Sequence, residues 1–164
     1  MWLVILFISF GILSRLIPHL PNFAPLAAVA LFSGVYYNKK HGYLLPLAIY
    51  IISDLILGLH NTIFFTWSSI ILIYFLGSSL KKRKTPVSTL SYTLAASFLF
   101  FFITNFGVWL VGYYPRNLEG LTTCFMRAIP FFRTSLTSNL FFVVVSFSLY
   151  EYFLSHNKVV QETA

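Results

Sequence analysis

Asp54 is one of four acidic side chains in this sequence, and it stands inside an apolar run, "LPLAIYIISDLILGLH". A carboxylate in such surroundings needs a cation, and Arg15, near the end of the first apolar run, is the cation at matching depth. The pair can serve packing, a ligand, or both. Asn105 and Asn139 also stand in apolar runs, and read either as hydrogen-bond links between helices or as ligand contacts. Trp67 and Trp109 lie where an aromatic belt is expected, and also where they could wall a site. His60 and His19 are imidazoles near the ends of apolar runs, without the paired spacing of a metal motif. In "YYPRNLEGLTTCFMRAIPFFR", residues 113–133, Arg116, Arg127 and Arg133 suit an anionic or carboxylate group. The single cysteine, Cys124, offers a thiolate to a soft metal such as cobalt or copper. With Gly120 and Pro130 as bend points, the stretch has the composition of a lid.

Membrane-crossing helices are what must position these groups. A chain 58 % hydrophobic, 20 % aromatic and 9 % charged cannot cover a water-facing surface. Its net charge of +7 falls in short clusters between apolar runs, the pattern of a protein oriented in a bilayer and not of a nucleic-acid binder. One cysteine excludes an internal disulfide and a CxxC metal site. The first run has no basic leader and no small-x-small cleavage site, and is expected to stay as a helix.

At roughly 20 apolar residues per crossing, six spans are expected, at residues 2–17, 24–37, 43–58, 62–80, 88–112 and 134–154. The fold class is an all-α integral membrane protein, a single domain over residues 1–154 with a short tail at 155–164. Lys39, Lys40, Lys81, Lys82, Arg83, Lys84 and Lys158 share one side, which places both termini in the cytoplasm and residues 113–133 outside. Arg15, Asp54, Ser68, Thr104, Asn105 and Asn139 then all fall in the outer halves of their spans, as in a cup open to the outside. "APLAAVALFSG" supplies two small-xxx-small pairs, Ala24 with Ala28 and Ala30 with Gly34. They fit tight packing within the unit or a docking face for a second membrane protein.

Four stretches, "RLIPHLPNFAPLAAVALFSGVYY", "LPLAIYIISDLILGLH", "TNFGVWLVGYYP" and "GLTTCFMRAIPFFRTSL", together resemble an uncharacterised family of bacterial six-span membrane proteins over nearly the whole chain. That family is similar in layout to the substrate-binding S-components of energy-coupling factor (ECF) transporters. The resemblance implies a small-solute site near the outer surface, and docking through a small-residue face to a transmembrane coupling protein driven by two ATPases. It implies a multi-pass protein of the bacterial inner membrane, whose partners are the lipid bilayer and a small solute, vitamin-like or metal-containing. No cofactor is expected in the chain itself, and ATP would act only through the partner ATPases, since no Walker A sequence is present.

Two rival readings stand beside transport. No GxSxG, HExxH or paired-carboxylate motif marks an enzyme, although Asp54 with His60 or Cys124 could do acid–base or nucleophilic chemistry. In an assembly subunit, the polar layer would only pack helices.

Overall fold

The structure, a computed structural model, describes residues 15, 23, 25–37 and 40–162. Five α-helices follow in order: α1 Leu26–Tyr36, α2 Leu44–Leu57, α3 Ile63–Leu80, α4 Pro86–Leu110 and α5 Leu118–Glu162, with a 3-10 turn at Lys81–Arg83. No strand occurs among the described residues. Arg15 is helical, and the rest of the expected first span lies outside the described residues.

Local chemistry sets the helix ends. Gly58 at φ 103° and Gly112 at φ 94° end α2 and α4 in a conformation that costs a side-chain-bearing residue energy. Thr85 and Ser88 form a reciprocal capping box at the start of α4, with Pro86 in the first turn, where its missing N–H is not needed. Helix α5 starts where Asn117 Oδ1 accepts from Gly120 N at 2.8 Å, and Glu119 in its first turn suits the positive end of the helix.

Three segments, Ile63–Arg83, Pro86–Leu110 and Leu118–Ser155, are long and apolar enough to cross a membrane. Helices α1 and α2, of 11 and 14 residues, are shorter. Helix α1 is the centre of the molecule. Its residues 27–35 are buried on every side, as expected of a helix apolar all round. It packs chiefly on α3 and also touches α2, α4 and α5. The two backbones meet at Gly34 and Gly77, where a Cβ on Gly34 would sit 2.1 Å from the Tyr74 carbonyl oxygen and 2.9 Å from the Gly77 Cα. Glycine is required on both helices here, because any side chain would push the backbones apart.

The sixth expected span is corrected. Residues 118–133 are not a loop but the first third of α5, which runs unbroken through Pro130. Phe125 meets Phe101 edge to face and Phe132 meets it at a tilt, with centroids 5.6 and 4.7 Å away, and they hold this segment against α4. Gly120 is no hinge either, being packed against the Pro115 carbonyl with no room for a Cβ. Phe125 meets Phe101 while Asn139 meets Ser97, so α5 advances fourteen residues as the antiparallel α4 runs back four. A straight helix aligned with α4 would rise ~21 Å against ~6 Å, so α5 slants across α4 in the stretch holding Pro130, whose ring removes a backbone donor and favours a bend. The helix then continues past the expected end at 154, as far as Glu162.

Candidate functional site

Helix α2 turns one face inward, carrying Leu45, Pro46, Ile49, Tyr50, Ser53 and Asp54, and leaves Ile52, Leu55 and Ile56 outside. The helical period therefore puts Tyr50, Ser53 and Asp54 in one stripe. Arg15 meets all three. Its Nη1 lies 2.7 Å from Asp54 Oδ1, 2.5 Å from Ser53 Oγ and 3.5 Å from the Tyr50 carbonyl oxygen. Its guanidinium carbon stands 4.6 Å from the centre of the Tyr50 ring. From α3, Trp67 Nε1 donates to Asp54 Oδ2 at 2.8 Å. The pairing expected between Arg15 and Asp54 is made, and it links three helical segments.

The cluster is not fully satisfied. Asp54 Oδ1 has Arg15 at ion-pair distance but no aligned N–H, because Nη1 is directed to Ser53 Oγ and the Tyr50 carbonyl. The Tyr50 hydroxyl is buried without a partner. The Asp54 side chain is 1 % exposed and that of Arg15 14 %, so only the arginine edge is open. Chemically this is a neutral, aromatic-walled pair with two unused hydrogen-bonding positions and a cation at its rim.

The other residues of the expected cup do not join it. His60 is exposed, its Nδ1 2.9 Å from Thr62 Oγ1 in the α2–α3 turn. Ser68 and Thr104 bond to carbonyls of their own helices, and Asn105 Nδ2 donates to the Phe101 carbonyl at 2.7 Å. Trp109 Nε1 donates to the Pro115 carbonyl at 3.0 Å and ties the α4–α5 turn. Arg116, Arg127 and Arg133 are exposed, the first in that turn and the other two along α5. Asn139, buried, donates to Ser97 Oγ at 3.1 Å, level with the middle of α4 and not in an outer layer. Its Oδ1 and the neighbouring Ser138 Oγ are buried without partners. Asn139 lies deeper along its helix than a start at residue 134 implied, because α5 begins at Leu118.

Cys124 is buried, with Sγ 3.4 Å from the Asn105 carbonyl oxygen. Among the described residues no three of His, Cys, Asp and Glu lie close enough to hold a metal ion. Ala28, Ala30 and Gly34 are buried inside the chain, so that face is taken up by α3 and its neighbours. Ala24 lies outside the described residues.

Sequence reasoning missed Tyr50 and Ser53, although their spacing from Asp54 would have found them. It also missed a second ion pair, Lys84 with Glu151, at the far end of α3. Tyr36 Oη donates to Glu151 Oε1 at 2.5 Å, and the Lys84 ammonium stands 4.9 Å from the centre of the Tyr36 ring. The scarcity of acidic residues was the available signal for Glu151.

A model of a family of unknown function (DUF6580) matches residues 1–161, and the chain belongs to that family. No curated protein and no solved structure matches it.

Proposed function

We propose that this DUF6580 chain is a membrane-embedded binding protein for uptake of a small solute, with its site at the Arg15, Tyr50, Asp54 and Trp67 cluster. One observation carries the reading: a buried ion pair that leaves two buried polar atoms, Asp54 Oδ1 and Tyr50 Oη, without aligned partners. Charges in a membrane protein interior cost several kcal/mol and are commonly kept where an ion or substrate passes. An anionic end on the open edge of Arg15 describes a small polar solute bearing a carboxylate or phosphate, and Asp54 Oδ1 and Tyr50 Oη, buried in this conformation, would be met only once that edge opens.

In this reading the chain crosses the inner membrane six times with both termini in the cytoplasm. The short helices α1 and α2 make partial crossings completed by their flanking residues. Exposure of Lys81, Lys82, Arg83 and Lys84 at one end supports that orientation. Coupling to an ECF-type transmembrane protein and its ATPases would use the exposed apolar surface, since the Ala28 to Gly34 face is buried. A purely structural role is the second reading, favoured by the neutralisation of Arg15 and Asp54 by each other.

The test is a mass-spectrometric inventory of small molecules that co-purify with wild-type protein and with Asp54→Asn and Tyr50→Phe. A solute retained by the wild type and lost from a folded Tyr50→Phe variant supports binding. Identical inventories from all three proteins leave the structural role.

A further inference from the structure

The end of the molecule that carries Lys84 and Glu151 holds a second concavity, unrelated to the Arg15 cluster. Fourteen residues of α3 and the following turn, ~21 Å of helix, separate Trp67 from Lys81. Lys81, Lys82, Arg83 and Lys84 are consecutive and exposed, and among the described residues only Lys84 has an acidic partner, Glu151. Behind that pair a cleft of about 480 Å³ opens between the first half of α4 and the second half of α5. Its mouth is Lys84 and Glu151, and the hydroxyls of Thr85, Thr89 and Ser148 follow. Its apolar walls are Leu90, Leu140, Val143, Val144 and Phe147, with Val143 and Phe147 buried at the back. From Thr85 to Thr93 the cleft runs ~12 Å along α4, from charge to hydrocarbon.

We infer that this cleft seats one anionic phospholipid, its phosphate on Lys84 and Arg83 and an acyl chain along the apolar walls. The charge balance at the mouth selects the headgroup. Lys81, Lys82, Arg83 and Lys84 are consecutive and exposed at this end, Lys84 lining the cleft itself, and among the described residues the carboxylate there is Glu151; the Tyr36 phenol, which donates to it, and the Tyr150 phenol beside Tyr36 are the other titratable groups. A net-negative phosphodiester is matched, whereas among the described residues the quaternary ammonium of a zwitterionic lipid meets at the mouth only Glu151, already held by Lys84 and Tyr36. Basic pockets between helices at the cytoplasmic membrane surface recognise anionic headgroups in this way. The start of α4 is already capped by Thr85 and Ser88, so recognition rests on the side-chain cations. The larger groove of about 830 Å³, between Leu94 and Leu136, is lined by hydrocarbon alone and selects no headgroup.

Lys84 is shared between Glu151 and the lipid in this arrangement, and that sharing makes the idea testable by sign. Delipidated protein in detergent is titrated with dioctanoyl phosphatidylglycerol, dioctanoyl phosphatidylcholine or glycerol phosphate, and bound molecules are counted by native mass spectrometry. One phosphatidylglycerol should bind in preference to phosphatidylcholine, and glycerol phosphate should not displace it. Lys84→Gln and Arg83→Gln should each weaken it about fivefold. Val144→Trp, at a wall position 62 % exposed, should block the cleft without cutting the core. Glu151→Gln keeps both cations and removes their competitor, so it should tighten phosphatidylglycerol binding. Equal binding of the two lipids, displacement by glycerol phosphate, or weaker binding by Glu151→Gln would overturn the assignment.

Discussion

The two ion pairs among the described residues are built alike and placed differently. In each, a cation lies over a tyrosine ring, 4.6 Å for Arg15 on Tyr50 and 4.9 Å for Lys84 on Tyr36. In each, an aromatic donor bonds the carboxylate, Trp67 to Asp54 and Tyr36 to Glu151. The Asp54 side chain is 1 % exposed and that of Glu151 46 %. Solvent access therefore decides what the same set of contacts is worth. At the exposed end either charge can turn to water when its partner leaves, so the pair is a weak tie that a competitor can open. At the buried end a charge left alone has nowhere to go, so the pair locks α2 and α3 around Arg15.

The comparison is broken most directly at Asp54. Asp54→Leu leaves Arg15 uncompensated and should cost about 3–5 kcal/mol, read as a fall in the thermal unfolding midpoint of the detergent-solubilised protein. The double change Asp54→Leu with Arg15→Leu should recover part of that loss, because two matched hydrocarbons replace a desolvated pair; strictly additive losses would mean that the pair is not coupled. Next in size, Trp67→Phe removes a donor to a buried carboxylate and should cost about 1.5–3 kcal/mol. A neutral result would show that Asp54 finds another partner.

At the exposed end, Glu151→Gln should change stability by no more than about 1 kcal/mol, and added salt should erase the difference. A loss comparable to that of Asp54→Leu would abolish the distinction between the two ends. Smallest of all, Arg116→Gln, Arg127→Gln and Arg133→Gln, each an exposed charge without an acidic partner among the described residues, should each shift stability by less than about 0.5 kcal/mol in the same unfolding assay.

Much of the helical layout was legible because apolar composition and end signals are local. The four helices from Leu26 to Leu110 begin and end within two residues of the expected positions, punctuated by Gly58, the Thr85 cap with Pro86, and Gly112. Arg15 and Asp54 were also matched from sequence, since the cost of a lone charge among apolar residues demands a partner wherever the chain runs. The start of α5 was present in the letters too: Asn117 as a cap and Glu119 in the first turn. The even mix of polar and apolar residues in "TTCFMRAIPFF" hides those signals, and a proline inside a helix costs about 3 kcal/mol in isolation. Whether it breaks the helix depends on what the flanking turns pack against, and here Phe125 and Phe132 on Phe101 hold them in place.

The Tyr36, Lys84 and Glu151 contact could not be read in advance, because Tyr36 and Glu151 are 115 residues apart and carry no shared pattern. Their meeting follows from the all-round burial of α1, which brings its last turn against α5 through Phe32, Phe147 and Tyr150. Likewise, small residues at 28, 30 and 34 announced a close approach but not its partner. Sequence sets how near another backbone can come; the backbone that comes near is fixed by which packing buries the most side chain, and here that is α3 at Gly77.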